Sequence, residues 1–172
     1  MKHDNGGRVH TGFHNALGYV RQEINQHLYQ MIGNTKRPIW ITGHSLGGAL
    51  AMLATRHFQT EYGHQSIRAY TFGQPMVGNE EWYAPIQSTY YRFAYFSDPV
   101  TYLPAIGQYS HGNITSLKII DAKGVIYEDA TNWRTLTKAA RSTVKKIATS
   151  GISNVHSMKN YIAKIAVQAA NR

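Results

Sequence analysis

The residues best suited to chemistry lie in Gly43-His44-Ser45-Leu46-Gly47. A serine set between glycines in this G-x-S-x-G spacing forms a nucleophile elbow when a strand leads in and a helix leads out. Pro38-Ile39-Trp40-Ile41-Thr42 is a short apolar run bounded by turn residues, and it predicts a buried strand. Leu46 to Tyr62, rich in Ala, Leu and Met and ended by Gly63, predicts a helix. So sharp a turn strains the serine backbone, and a side chain at either Gly43 or Gly47 is expected to clash with neighbouring chain. The helix start presents free backbone N–H groups, so the Leu46 N–H is the expected donor to a developing oxyanion.

A serine hydroxyl needs a base and an orienting acid, and where a strand-turn-helix elbow carries it these follow in the order Ser, acid, His. The histidines after Ser45 in a position to serve are His111 and His156. The later acids are Glu61, Glu80, Glu81, Asp98, Asp121, Glu128 and Asp129. Asp98 stands out because it follows the strand predicted at 90–96, at the carboxyl end of the sheet where open α/β folds build their sites. Glu61 falls at the far end of the elbow helix. Asp121, Glu128 and Asp129 read as turn and surface charges. His156 is favoured as base because the helical pattern after it (Met158, Tyr161, Ile162, Ile165) anchors its loop; His111 is the competitor, or a structural histidine beside the site. His44 is expected to point away from the site and pack. His3, His10, His14 and His27 precede the serine and take surface or capping roles.

Other elements must position these groups. Leu17, Val20, Ile24, Leu28 and Met31 recur at helical spacing, which predicts a helix over 15–32 stopped by Gly33-Asn34. Strands are predicted at 67–72 and 90–96 with a short helix over 80–86 between them. Residues 114–120 and 125–127 flank Asp121-Ala122-Lys123-Gly124 as an edge hairpin. Helical patterns over 132–149 and 154–169 are broken at Ser150-Gly151. Strands alternating with helices imply an α/β fold with a mostly parallel sheet.

At 172 residues the chain has room for one domain, 1–172, with a proper core. No run approaches eighteen apolar residues, and nothing apolar follows Met1-Lys2-His3, so neither a spanning helix nor a secretory signal is predicted. The compartment stays unassigned, with cytoplasmic residence and export by another route both open. Cysteine is absent, which removes thiol nucleophiles and disulfides. Lys and Arg number 18 against 9 Asp and Glu, a net +9. These cations are scattered without any nucleic-acid-binding pattern, so nucleic acid is not an expected partner. Arg134, Lys138, Arg141 and Lys145 do form a stripe along one helix face, either a docking surface for anionic lipid or a solvated face. No His, Asp or Glu cluster has metal-ligand spacing, so neither metal nor cofactor is implied.

Four ordered blocks carry a closer resemblance: Val9-His10-Thr11-Gly12-Phe13, the run Ile41 to Ala51 around the elbow, Thr71-Phe72-Gly73-Gln74-Pro75-Met76-Val77-Gly78-Asn79, and Asp98-Pro99-Val100-Thr101-Tyr102-Leu103-Pro104. Together they resemble the class 3 lipases, the fungal-lipase-like α/β-hydrolases, over about 9–161. The resemblance implies a Ser45, Asp98, His156 triad. Val155 stands where the family usually has aspartate, and Tyr109-Ser110-His111-Gly112 resembles a block whose histidine is not the base. It further implies hydrolysis of a lipid or simple carboxylic ester through an acyl-enzyme, with Val77, Leu103 and Ile106 as candidate linings of the acyl slot. The family's first oxyanion donor belongs to a Phe-Arg-Gly-Thr-like turn ahead of the Val-His block. This chain starts too late to include it, so the fold is expected to be truncated at the N-terminus. The competing reading is an impaired, lipase-like module that only binds membrane or partner surfaces.

Overall fold

Short apolar strands separated by helices bury both faces of a sheet most simply when the strands run parallel and the helices cross between them. In the computed structural model, which describes residues 1–4, 6–33, 35, 37–104, 108–128 and 152–170, the strands are β1 (Lys2–Asp4), β2 (Gly7–Val9), β3 (Ile39–His44), β4 (Ile67–Phe72), β5 (Thr89–Tyr95), β6 (Leu117–Ile120) and β7 (Ile126–Tyr127). β3 to β6 are parallel neighbours in the order β3-β4-β5-β6, and β7 adds an antiparallel edge. The expected hairpin is therefore present. Its turn is held by Asp121, whose Oδ1 accepts the Lys123 and Val125 N–H groups at 2.8 and 2.9 Å. β1 and β2 form a separate antiparallel pair, too short to register as a pattern in the sequence.

The helices are α1 (Thr11–Ile32), α2 (Leu46–Tyr62), α3 (Glu80–Tyr83), α4 (Ile152–His156) and α5 (Met158–Ala170). α2 covers β3 and β4, and its small residues Gly48, Ala49, Ala51 and Ala54 are buried, which lets the helix backbone approach the sheet closely. Alternate residues serve opposite faces: Ile67 and Ala69 join the core under α2, while Phe72 and Phe93 pack with Tyr161 and Met158 near α4 and α5. Among the described residues no helix is long and apolar enough to cross a membrane.

Three expectations need correction. α1 begins at Thr11 rather than residue 15, because the His10 side chain caps it, accepting the Phe13 N–H at 3.3 Å and stacking on the Phe13 ring at 4.1 Å. Of its predicted apolar stripe only Leu17 is buried; Val20, Ile24 and Met31 are exposed, since the helix rests mainly on α2. The helix predicted over 154–169 is two helices parted at Ser157, whose hydroxyl accepts the Asn160 N–H at 3.2 Å and so starts α5. His156 consequently ends a short helix and does not sit in a loop. The 132–149 pattern, with Arg134, Lys138, Arg141 and Lys145, lies outside the described residues, as do Ile106 and the Ser150-Gly151 break.

Candidate active site

Ser45 and Asp98 follow the ends of β3 and β5, and His156 reaches them from the end of α4, so that the three meet above the carboxyl edge of the sheet. Ser45 sits between β3 and α2 with φ 57° and ψ −126°, a conformation that costs a non-glycine residue about 1–3 kcal/mol. Its N–H donates to the Phe72 carbonyl at 3.0 Å, tying the turn to β4. Gly43 makes this turn possible: a Cβ there would lie 2.2 Å from the Gly47 carbonyl oxygen. Gly47 itself has open space around it, contrary to the expectation of a clash, because its missing side chain faces out of the turn. Gly43→Ala is therefore expected to destabilise the fold by about 3 kcal/mol, while Gly47→Ala shifts the urea midpoint little. Denaturant unfolding of the two variants side by side checks the contrast.

Asp98 is wholly buried three residues beyond β5. Its Oδ1 accepts the Val100 N–H at 3.0 Å and its carbonyl accepts the Thr101 hydroxyl at 2.8 Å, so the Asp-Pro-Val turn fixes the carboxylate locally. The free oxygen, Oδ2, lies 2.8 Å from His156 Nδ1. A carboxylate only accepts, so Nδ1 carries the proton and Nε2 is left to accept from the Ser45 hydroxyl, 2.7 Å away. A glycine at 73 leaves room for this pair, since a Cβ there would come within 3.0 Å of Asp98 Oδ2 and 3.1 Å of the His156 ring. The backbone also turns through φ 57° at that position.

Two residues at this site escaped the sequence reading. Tyr161 is fully buried and donates its hydroxyl to Asp98 Oδ2 at 2.7 Å, while accepting the Tyr95 N–H at 3.0 Å. Burial and the neighbouring Asp98 charge push its hydroxyl well above the usual tyrosine range, so it remains a donor. The sequence marked Tyr161 only as a helix-face anchor. His44, expected to point away, instead turns toward the site and lies against His156, with ring centroids 4.6 Å apart. His44 is the last residue of β3, paired with Phe72 of β4, and strand alternation puts it on the sheet face that Phe72 and Phe93 share with Tyr161.

His111 stands outside the line of hydrogen bonds that joins Ser45, His156 and Asp98. Burial first, and then the Arg92 charge, hold its pKa down to about 2, so it is neutral and accepts from the guanidinium through Nδ1. Arg92 is itself buried and donates to the carbonyls of Gln74 and Thr101 at 2.5 and 3.0 Å, binding the loop after β4 to the turn that carries Asp98. The other acids stand apart: Glu61 pairs with His57 at 3.1 Å on α2, Asp121 closes its turn, and Glu128 lies 3.8 Å from Lys118. Asp129 lies outside the described residues.

Of the expected substrate contacts, Leu103 is half-exposed beyond the Asp98 turn, whereas Val77 is 0% exposed in the core with its carbonyl accepting the His10 N–H. Val77 therefore supports α1 and does not line an acyl slot. Leu46, the first residue of α2, has an N–H with no acceptor inside its own helix. Among the described residues no group of three or more His, Asp or Glu side chains could hold a metal ion.

A mostly parallel sheet with a strained serine turn feeding a helix at its carboxyl edge defines an α/β-hydrolase fold. The sequence profile described as lipase (class 3) matches residues 1–108, more than half of the chain, and the chain belongs to that family. It is 30% identical over 138 residues to a protein of Gibberella zeae named secreted mono- and diacylglycerol lipase 2, covering 69% of this chain and 34% of that protein. A Rhizomucor miehei lipase is 38% identical over 106 residues, 58% of this chain and 29% of that one. The Rhizomucor miehei triacylglyceride lipase structure superposes with a TM-score of 0.58 at 29% identity, covering 69% of this chain and 46% of its own. A triacylglycerol lipase whose catalytic centre is described as a serine protease triad superposes with a TM-score of 0.59 at 30% identity, over 73% and 51% of the two chains. The chain spans about a third of the length of the curated relatives it matches.

Proposed function

We propose that the chain hydrolyses carboxylic esters of lipids through Ser45, His156 and Asp98. The observation that carries this reading is the continuous hydrogen-bonded line from the Ser45 hydroxyl through the His156 imidazole to the buried Asp98 carboxylate. Family membership and the glycerol-ester lipases among the relatives support the substrate class.

In this scheme Ser45 Oγ attacks the ester carbonyl carbon as its proton passes to His156 Nε2, and Asp98 steadies the resulting imidazolium. The oxyanion meets the Leu46 N–H; a second donor is left unassigned. The imidazolium then protonates the departing alkoxide, giving the alcohol and an acyl-Ser45 ester. Water, deprotonated by His156, attacks that ester and releases the carboxylic acid with Ser45 restored. Leu103 is proposed as an acyl contact. Docking to an anionic lipid surface through Arg134, Lys138, Arg141 and Lys145 stays a proposal based on their sequence spacing alone.

The test is covalent capture. A fluorophosphonate reagent should place its phosphonyl group on Ser45 with loss of fluoride, found by mass on the peptide that contains it, and the untreated chain should cleave p-nitrophenyl esters of increasing acyl length, an activity lost on labelling. An unlabelled Ser45 would reject the nucleophile and favour the binding-only module.

A further inference from the structure

During turnover His156 must stay in place while the hydrogen bonds on both its ring nitrogens change. The Ser45 bond breaks as the proton moves, and the Asp98 bond strengthens as the ring gains charge. Neither can be the fixed reference for the imidazole. The local chain gives limited support: α4 is only five residues long, and the carbonyls at the end of a helix have no acceptor role left inside it.

His44 meets this need. Its Nε2 lies 2.6 Å from the backbone carbonyl oxygen of His156, across 112 residues of sequence. A carbonyl only accepts, so Nε2 carries a proton and donates. The same ring lies against the His156 imidazole at 4.6 Å between centroids, tilted 33°, and meets Tyr161 edge-on at 5.9 Å. Tyr161 in turn donates to Asp98. One side chain thus touches the backbone and the ring of the base, and the tyrosine that holds the acid. His44 also directly precedes Ser45, so any shift of the elbow carries the nucleophile and this grip together, keeping their separation from His156 constant.

We infer that His44 is a positioning residue, docking the His156 segment onto the elbow through the Nε2–H to carbonyl bond and thereby setting the imidazole between Ser45 and Asp98. The inference rests on the hydrolase reading above, deepening it by one residue that takes no proton in the reaction.

Three substitutions in the full chain separate the bond from the ring. H44F keeps an aromatic ring but has no donor. H44N has a donor placed too short to reach the carbonyl. H44Q carries its amide N–H at about the reach of Nε2. Displacing a catalytic group by about 1 Å costs about a hundredfold at most, so H44F and H44N are expected to lose about 30-fold in kcat on p-nitrophenyl butyrate with KM little changed. H44Q should recover most of that loss. Independently of turnover, the low-field proton resonance of the His156–Asp98 hydrogen bond, recorded with His156 protonated, should persist in H44Q and broaden away in H44F and H44N.

Full activity with an intact resonance in H44F and H44N would overturn the inference, and so would an H44Q as impaired as H44F. Should H44F fail to fold, H44N against H44Q carries the comparison. If the unmodified chain hydrolyses ester no faster than Ser45→Ala, the hydrolase reading fails, and the resonance alone still decides what His44 does.

Discussion

Ser45→Ala should lower kcat for p-nitrophenyl ester hydrolysis by about 10⁶-fold while leaving the fold intact. Loss of the nucleophile in a complete serine-hydrolase site costs about 10⁶. The fold should not notice the change, because the Ser45 side chain makes no capping bond to α2 and alanine has the same Cβ to accommodate at φ 57°. Steady-state kinetics and a urea midpoint measured on the same preparation check both halves. A loss under tenfold would mean that ester cleavage occurs elsewhere on the molecule.

Asp98→Asn should cost about four powers of ten in kcat, less than loss of the serine, because the acid orients the base and is not consumed. The hydrogen bonds explain why an isosteric change is so damaging. Asp98 Oδ2 accepts from both His156 Nδ1 and the Tyr161 hydroxyl, and Oδ1 accepts the Val100 N–H. An asparagine must put its NH₂ at one of these positions. At Oδ2 it confronts two donors and drives His156 to the tautomer with a proton on Nε2, which can no longer accept from Ser45. At Oδ1 it faces the Val100 N–H and weakens the turn that presents the residue. The kinetic loss should come with an altered His156 tautomer, visible in the imidazole ¹⁵N shifts. Unchanged kcat in the Asp98→Asn variant would show that Asp98 is a structural acid only.

Features confined to one element were legible in the residues. The elbow was readable because the strand run, the G-x-S-x-G spacing and the Ala-rich helix are contiguous, and α2 begins and ends where composition placed it. Asp98 was readable because chain order and the end of a strand leave few acids near the sheet's carboxyl edge. Caps made by side chains were harder to read: His10 starting α1 and Ser157 dividing α4 from α5 are single hydrogen bonds that no periodicity records.

Sequence alone, then, determined the strained serine turn, the order of strands and helices, and the short roster of residues able to surround it, since each depends on neighbours a few positions apart. Only the tertiary structure decided that His44 faces His156, that Tyr161 shares Asp98 Oδ2, that residue 73 must lack a Cβ, and that Val77 belongs to the core. These contacts join groups tens of residues apart, and their existence follows from how strand ends line up across a parallel sheet, a relation with no period along the chain.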